Sequence, residues 1–402
     1  MLRVEIQSSI NLIEEKLWNS IVSEREIFNS YRFIKAVEDA HVEESSYRYL
    51  LFYNGDELVG HTVLSSFVIS LDLFIPGNKL VQLVKKILPS LFNVRILFSG
   101  LPASLGQLNL TIKSPEWQEA ATEALQFEMD KLAHDHYINL LCVKEFKGWE
   151  KEMCKGLLHH DFFSAFSLPY MILEIQWKSF KEFLQSMRHQ YRRSINLSSR
   201  KFCTPEPLIF HADDKIRANQ PVLILGDTSI CPPQRMHELY LAVMERTPTK
   251  LETLNRAFFE NFYKQFADTL QILTVQHNDK IISAALLIQI GEELNFILVG
   301  RENHKDSFDS YFNLVYGIIK LAIQKGVKRI NMGQTAYWVK QRVGATPVPV
   351  YIYFKSRKPL LNWILKKLNR QIFPELILKP IRVFKDRNKV MTEVPTLQNA
   401  EA

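Results

Sequence analysis

Two polar clusters in the last third of the chain hold the residues best suited to chemistry. The first, Gly300-Arg301-Glu302-Asn303-His304-Lys305-Asp306-Ser307, follows an apolar run that ends in Leu298-Val299. The second, Gly333-Gln334-Thr335-Ala336-Tyr337-Trp338-Val339-Lys340-Gln341-Arg342, follows another apolar run and closes at Gly344. Histidine is the side chain suited to exchange a proton near neutral pH, which makes His304 a candidate. Glu302 and Glu245 are carboxylate bases, with Glu245 at a predicted helix end before Thr247-Pro248. Lys305, Lys340, Arg301 and Arg342 can neutralise an anion, and Tyr337 can donate a proton. Arg188, Arg192 and Arg193 share a predicted amphipathic helix, where guanidinium forks suit phosphate, although paired arginines on such a helix more often form a solvated face or a domain-bridging set of ion pairs. Such groups serve proton transfer and anion binding. By themselves they do not name a reaction.

Metal and redox chemistry find little support. His159-His160-Asp161 are adjacent, so their side chains diverge, and no spaced partner is evident. The four cysteines, Cys142, Cys154, Cys203 and Cys231, lie far apart without CxxC spacing, as expected of reduced thiols in a cytoplasmic protein.

The elements that must position these residues form a duplicated pattern. Two runs, 49–64 and 272–287, each read as a pair of strands across a tight turn, Asn54-Gly55 in one and Asn278-Asp279 in the other. A long helix and a buried strand are predicted downstream of each: helix 115–133 and strand 137–143, then helix 307–325 and strand 327–332. A basic amphipathic piece at 79–92 lengthens the first copy. The spacing of Phe180, Phe183, Leu184, Met187, Tyr191 and Ile195 predicts one helix over 180–201. A buried strand at 222–225 and helices over 233–245 and 253–266 complete the pattern. Strands alternating with helices predict an α/β (α+β) protein of two copies of one domain, 1–166 and 167–356, with a cleft between them and a tail at 357–402.

Apolar residues make up 47% of the 402 residues, ample for folded cores. No apolar run is long enough to span a bilayer, and the start shows no secretory leader. The net charge of +7 belongs to the tail. Residues 355–389 carry eleven Lys/Arg against Glu375 and Asp386, whereas the first 354 residues balance. A basic tail with Leu360-Leu361-Asn362-Trp363-Ile364-Leu365 suits an anionic membrane surface, an acidic carrier protein or RNA; a solubilising face packed on the body suits it too.

Three segments in this order resemble the GNAT superfamily of acyltransferases. They are Phe98-Ser99-Gly100-Leu101-Pro102-Ala103-Ser104-Leu105-Gly106, the Arg192-Arg193-Ser194-Ile195 helix, and the stretch holding Gly333, Lys340 and Gly344. The resemblance is nearest to the tandem branch that includes the Fem-type peptidoglycan aminoacyltransferases. It implies two GNAT-like domains, each a mixed, mostly antiparallel sheet flanked by helices, with one working site in the second. There an acyl group passes to a primary amine. The expected donor is acyl-CoA or an acyl-carrier-protein thioester, bound as co-substrate, and no permanently bound cofactor is expected. The acceptor is a peptide or small metabolite. Transfer of an amino acid from tRNA, the one case calling for nucleic acid, and a catalytically inactive binding module are the alternatives.

The resemblance also implies roles. The backbone of Leu298, Val299, Gly300 and Arg301 stabilises the oxyanion. Arg301, Lys305, Ser307, Gln334, Thr335 and Arg342 border the donor. His304, Glu302 or Glu245 is the base, and Tyr337 or Lys340 serves the leaving group. Ordinary members bind the pyrophosphate of coenzyme A with a glycine-rich loop opening a helix. The corresponding loop here, 300–308, has one glycine. An acyl-carrier-protein thioester or an aminoacyl-tRNA therefore fits as well as free coenzyme A.

Overall fold

The computed structural model describes residues 2–70, 93–103, 106–202, 220–247, 252–302 and 306–385. The 79–92 piece, His304, Lys305 and Cys203 lie outside them. In chain order the first seven strands are β1 (Arg3–Gln7), β2 (Ser46–Asn54), β3 (Glu57–Ser70), β4 (Asn93–Ser99), β5 (Leu110–Ile112), β6 (Leu140–Lys147) and β7 (Phe163–Phe166). Seven more follow: β8 (Tyr170–Glu174), β9 (Val222–Gly226), β10 (Leu270–His277), β11 (Lys280–Ile290), β12 (Glu293–Arg301), β13 (Arg329–Asn331) and β14 (Thr346–Val348). The last is β15 (Val350–Ser356).

The chain forms two compact units, each built from non-contiguous segments. The first comprises Met1–Pro169, Thr249–Phe258 and Pro349–Ile377, and the second Tyr170–Pro248, Phe259–Val348 and Leu378–Ala402. The boundaries at 166/167 and 356/357 expected from the sequence are thus crossed. Strand β15 enters the first sheet between β6 and β7, giving the order β1-β2-β3-β4-β6-β15-β7, with β5 paired to β3. The 357–402 tail is not one element either. Its helices Pro359–Lys367 and Asn369–Ile372 belong to the first unit, whereas Phe384 bridges to Met187 in the second.

The second sheet runs β14-β8-β13-β12-β11-β10-β9. Both sheets are antiparallel except for one parallel pair each, β4 with β6 and β12 with β13. A crossover helix spans each parallel pair, Gln118–Asp135 in the first unit and Ser310–Lys325 in the second. Each hairpin repeats too. Asn278 and Asp279 both take positive φ, as a two-residue turn matched to strand twist demands; in the first unit the turn centres on Gly55-Asp56, where Gly55 has φ +59°.

Burial follows the apolar pattern. The Ser310–Lys325 helix lays Leu314, Val315, Ile318, Ile319 and Ala322 on the second sheet, all essentially inaccessible. The predicted helix over 180–201 is two helices, Phe180–Ser186 and His189–Ser199. The break comes where Met187 turns extended to pair with Phe384, a long-range choice that local periodicity does not record. Gly300 on β12 lies directly beneath the Pro233–Met244 helix. A Cβ there would stand 2.5 Å from Leu239 Cβ and 2.9 Å from the Tyr240 backbone nitrogen. Gly300→Ala is therefore expected to cost about 1–3 kcal/mol through overpacking. Urea unfolding of the variant measures it, and an unchanged midpoint contradicts this packing.

Candidate active site in the second unit

The parallel pair β12/β13 lasts for only three rungs: Glu293 with Arg329, Leu294 with Ile330, and Asn295 with Asn331. Beyond them β12 runs on to Arg301 alongside β11, with a bulge opposite Leu286/Leu287 that leaves Ile297 unpaired. The other branch turns toward β8: Met332 N–H donates to Met171 O (2.8 Å), and Met171 N–H donates to Gly333 O (3.1 Å). The sheet forks here. In the first unit β4 pairs with β6 as far as its last residue, Ser99 with Val143. The loop that follows is tied by Lys144 Nζ to Leu101 O (2.9 Å) and Pro102 O (3.2 Å), with Lys144 almost wholly buried. In the first unit it is thus the loop after β4 that a buried lysine pins.

Strand alternation decides which β12 groups face the opening. Glu302 N–H bonds Ile282 O at 3.0 Å, and Gly300 O accepts from Ser283 Oγ at 2.8 Å, so Gly300 and Leu298 also turn toward β11. The backbone N–H groups of Val299 and Arg301 point the other way, into the fork.

On the opposite branch the chain turns sharply. Gly333, Thr335 and Ala336 have φ of +69°, +61° and +48°. A threonine in the left-handed region is strained. The turn is stabilised from inside by Lys340, on the short Tyr337–Arg342 helix. Its Nζ donates to Gly333 O at 3.1 Å and to Gln334 O at 2.5 Å. Lys340 is only 3% exposed, and burial lowers its pKa from 10.5 to about 7. A buried ammonium bonded to carbonyls alone gains no counter-charge, so the neutral amine is populated near neutrality.

The remaining residues are placed as follows. Tyr337 opens the Lys340 helix and packs partly buried against the core. Gln334 is half-buried and Thr335 exposed. The Arg342 guanidinium lies over the Trp338 ring (4.7 Å) and the Tyr191 ring (5.4 Å). Glu302 is held by Arg235 at 2.5 Å, and Arg235 also binds Ile281 O. Glu245 is exposed just beyond the Pro233–Met244 helix. Ser307 is exposed in the turn before the crossover helix. Arg188 and Arg193 are exposed and Arg192 half-buried.

Asn295 escaped the sequence reading. It is 5% exposed on the last paired rung, and its Nδ2 has no partner among the described residues. Facing it, Asn331 Oδ1 accepts from Gly333 N–H at 3.0 Å. An asparagine within Leu294-Asn295-Phe296-Ile297-Leu298 was the available signal, since a buried amide needs a partner.

The start of the crossover helix decides how well coenzyme A fits. The N-cap position is Asp309, in a left-handed conformation. Asp306 Oδ1 already accepts from Ser310 N–H and Oγ, both at 2.9 Å, and Asp306 Oδ2 pairs with Arg301 at 3.5 Å. Asp309 binds Lys201 at 2.8 Å and Ser198 Oγ at 2.9 Å. The helix terminus that would cradle a pyrophosphate is thus lined by two carboxylates, and the described residues do not fit that group.

Among the described residues no cluster of metal-ligating side chains occurs. Cys142 and Cys231 are buried and their thiols pushed up to about 12, unsuited to nucleophilic attack.

A forked mixed sheet with a bulged strand and a crossover helix defines a GNAT-like acyltransferase fold, present here in tandem. The family model for FemAB-like proteins of peptidoglycan biosynthesis/recognition matches residues 102–372. The chain belongs to that family, whose members are Fem-type acyltransferases of GNAT-like fold. The structure of FemX superimposes over 90% of this chain and 100% of its own, with TM-score 0.51 and 12% identity. A tandem GNAT protein from the clavulanic acid biosynthesis pathway covers 88% of this chain and 98% of its own at TM-score 0.46 and 8% identity. In sequence, putative 8-amino-7-oxononanoate synthase 2 of Mycobacterium tuberculosis is 24% identical over 365 residues, 86% of this chain. The chain spans about half the length of these curated relatives, 45% of each.

Lys340 gives a testable pH dependence. Below pH 7 both folded and unfolded chains hold its proton, and burial of the charge opposes folding in full. Between pH 7 and 10.5 the unfolded chain binds the proton and the folded chain does not, so stability rises with pH. Relative to Lys340→Met, the native protein should gain about 1.4 kcal/mol per pH unit in this window. Urea unfolding at pH 7, 8 and 9 checks this. Parallel curves for the two proteins rule out the lowered pKa.

Proposed function

We propose that the second unit transfers an aminoacyl group from an ester donor of the aminoacyl-tRNA type to a primary amine at the β12/β13 fork. The observation that carries this reading is the parting of β12 and β13 after Asn295, with the Val299 and Arg301 N–H groups on one branch and the buried amine of Lys340 on the other. The acceptor amine attacks the donor carbonyl. Negative charge builds on the carbonyl oxygen, where fixed N–H donors lower the barrier. The acceptor nitrogen sheds a proton as the amide forms; the ester C–O bond breaks, and the departing oxygen takes up a proton and leaves as a hydroxyl. A lysine neutral near pH 7 is suited to receive the proton shed by the nitrogen.

Membership of the FemAB-like family and the FemX-like fold favour an aminoacyl donor over the thioester that leads on sequence alone. The acidic start of the Ser310–Lys325 helix argues against free coenzyme A in particular. It leaves a second reading, an acyl-carrier-protein thioester, because the phosphopantetheine arm of a carrier brings no pyrophosphate. On either reading the acceptor is an amine of a peptide or a peptidoglycan precursor.

Purified protein offered charged tRNA, acyl-carrier-protein thioesters and acyl-CoA separately, with a mixed set of amine peptides, distinguishes the donors. Discharge of tRNA alone is the expected result. Thiol release from acyl-CoA alone would overturn the donor assignment. In single-turnover assays Lys340→Met should slow transfer by about 10²-fold or more, and Lys340→Arg should not restore it, because a guanidinium stays charged. Wild-type rates in both variants would remove Lys340 from the chemistry.

A further inference from the structure

The helix Pro359–Lys367 carries two apolar rows, and only one is covered. Leu361 and Leu365 pack with Ile372 and Phe373 against Phe354 and Phe163 in a core of the first unit. Buried Asn362 fixes the rotation of the helix, donating to Asp161 O at 2.9 Å and accepting from Ser356 N–H at 2.8 Å. The opposite row is presented to solvent. Leu360 is 72% exposed and Trp363 55%, one turn apart. Leu368 at the helix end and Leu376 and Ile377 just beyond are exposed as well.

Basic groups border this row without acidic neighbours in sequence. Lys358 precedes the helix, Lys366 and Lys367 close it, and Arg370 follows; no Asp or Glu occurs from 357 to 374. Lys367 lies over the Trp363 ring at 4.4 Å, so its stem covers apolar surface while its charge stays outside. Exposed leucines with a tryptophan, ringed by lysine, match the boundary between lipid headgroups and acyl chains. The net positive charge selects an anionic leaflet. A polyanion such as RNA would use the lysines but gains nothing from Leu360 or Ile377.

We propose that the outer face of the Pro359–Lys367 helix, with Leu360, Trp363, Lys366 and Lys367, seats the protein on the surface of an anionic lipid bilayer. No described helix is long and apolar enough to cross a membrane, so this contact is peripheral. It is independent of the reaction assigned to the second unit.

Co-sedimentation of the full chain with phosphatidylcholine vesicles, with and without about 30 mol % phosphatidylglycerol, tests it at physiological salt. Partitioning should be at least about tenfold stronger on the anionic vesicles. Leu360→Ser/Trp363→Ser should lose about tenfold of that binding, and Lys366→Gln/Lys367→Gln should lose severalfold. Because these side chains are exposed, the variants should keep the native circular dichroism. An environment-sensitive dye on Leu360→Cys adds a second readout and should shift to the blue on anionic vesicles. Equal binding to both vesicle types, full binding by the serine variant, or no dye response overturns the proposal. Tight heparin binding that survives the serine changes, without vesicle binding, assigns the face to polyanions instead.

Discussion

The chemistry proposed for the second unit depends on where two parallel strands stop pairing. A buried strand edge must satisfy its N–H and C=O groups, and a sheet normally does so by pairing along its whole length. Strand β12 keeps its β11 partner but loses β13 after Asn295, while the chain beyond β13 bends to β8 through Met332 and Gly333. The Val299 and Arg301 N–H groups lie on the side of β12 away from β11, beyond the last rung paired with β13. The bulge at Ile297 and the absence of a Gly300 side chain let β12 curve away beneath the Pro233–Met244 helix.

Lys340 holds the other branch of the fork in place. The Gly333–Ala336 turn takes three left-handed residues in four, and the lysine binds two of its carbonyls from within. Positioning and reactivity are thus joined in one group: the burial that lets Nζ pin the turn also lowers its basicity. Lys144 makes a comparable pair of bonds in the first unit, but there the lysine ties the loop after β4, whose last four residues all pair with β6. Two copies of one domain share a topology, and among the described residues they differ in where the parallel pair stops: β4 pairs with β6 to its last residue, whereas β12 leaves β13 after Asn295.

Much of this was legible in the chain. The hairpins announced themselves through short turn signals, although the first turn lies at Gly55-Asp56, one residue later than the Asn54-Gly55 expected, and the crossover helices through long, periodic apolar faces. The spacing of Lys340 from Gly344 drew attention to that residue, and the acidic character of the 306–309 loop was plain in its letters. Several features were not legible, for one shared reason. The entry of Val350–Ser356 into the first sheet, the break at Met187, the pinning of the loop after β4 by Lys144 and the unpartnered amide of Asn295 all depend on partners far away in sequence. Propensity and periodicity carry no record of such partners. The burial of Lys340 belongs with these, because a lysine between polar residues looks solvated until its surroundings are known.

The most direct measurement is a crystal structure with a non-hydrolysable aminoacyl-ester analogue that mimics the tetrahedral intermediate. The fork account places the oxyanion mimic within hydrogen-bonding distance of the Val299 or Arg301 N–H, with the attacking-nitrogen position on the Gly333–Ala336 side. An analogue seated away from β12, or one held only by the first unit, would contradict it.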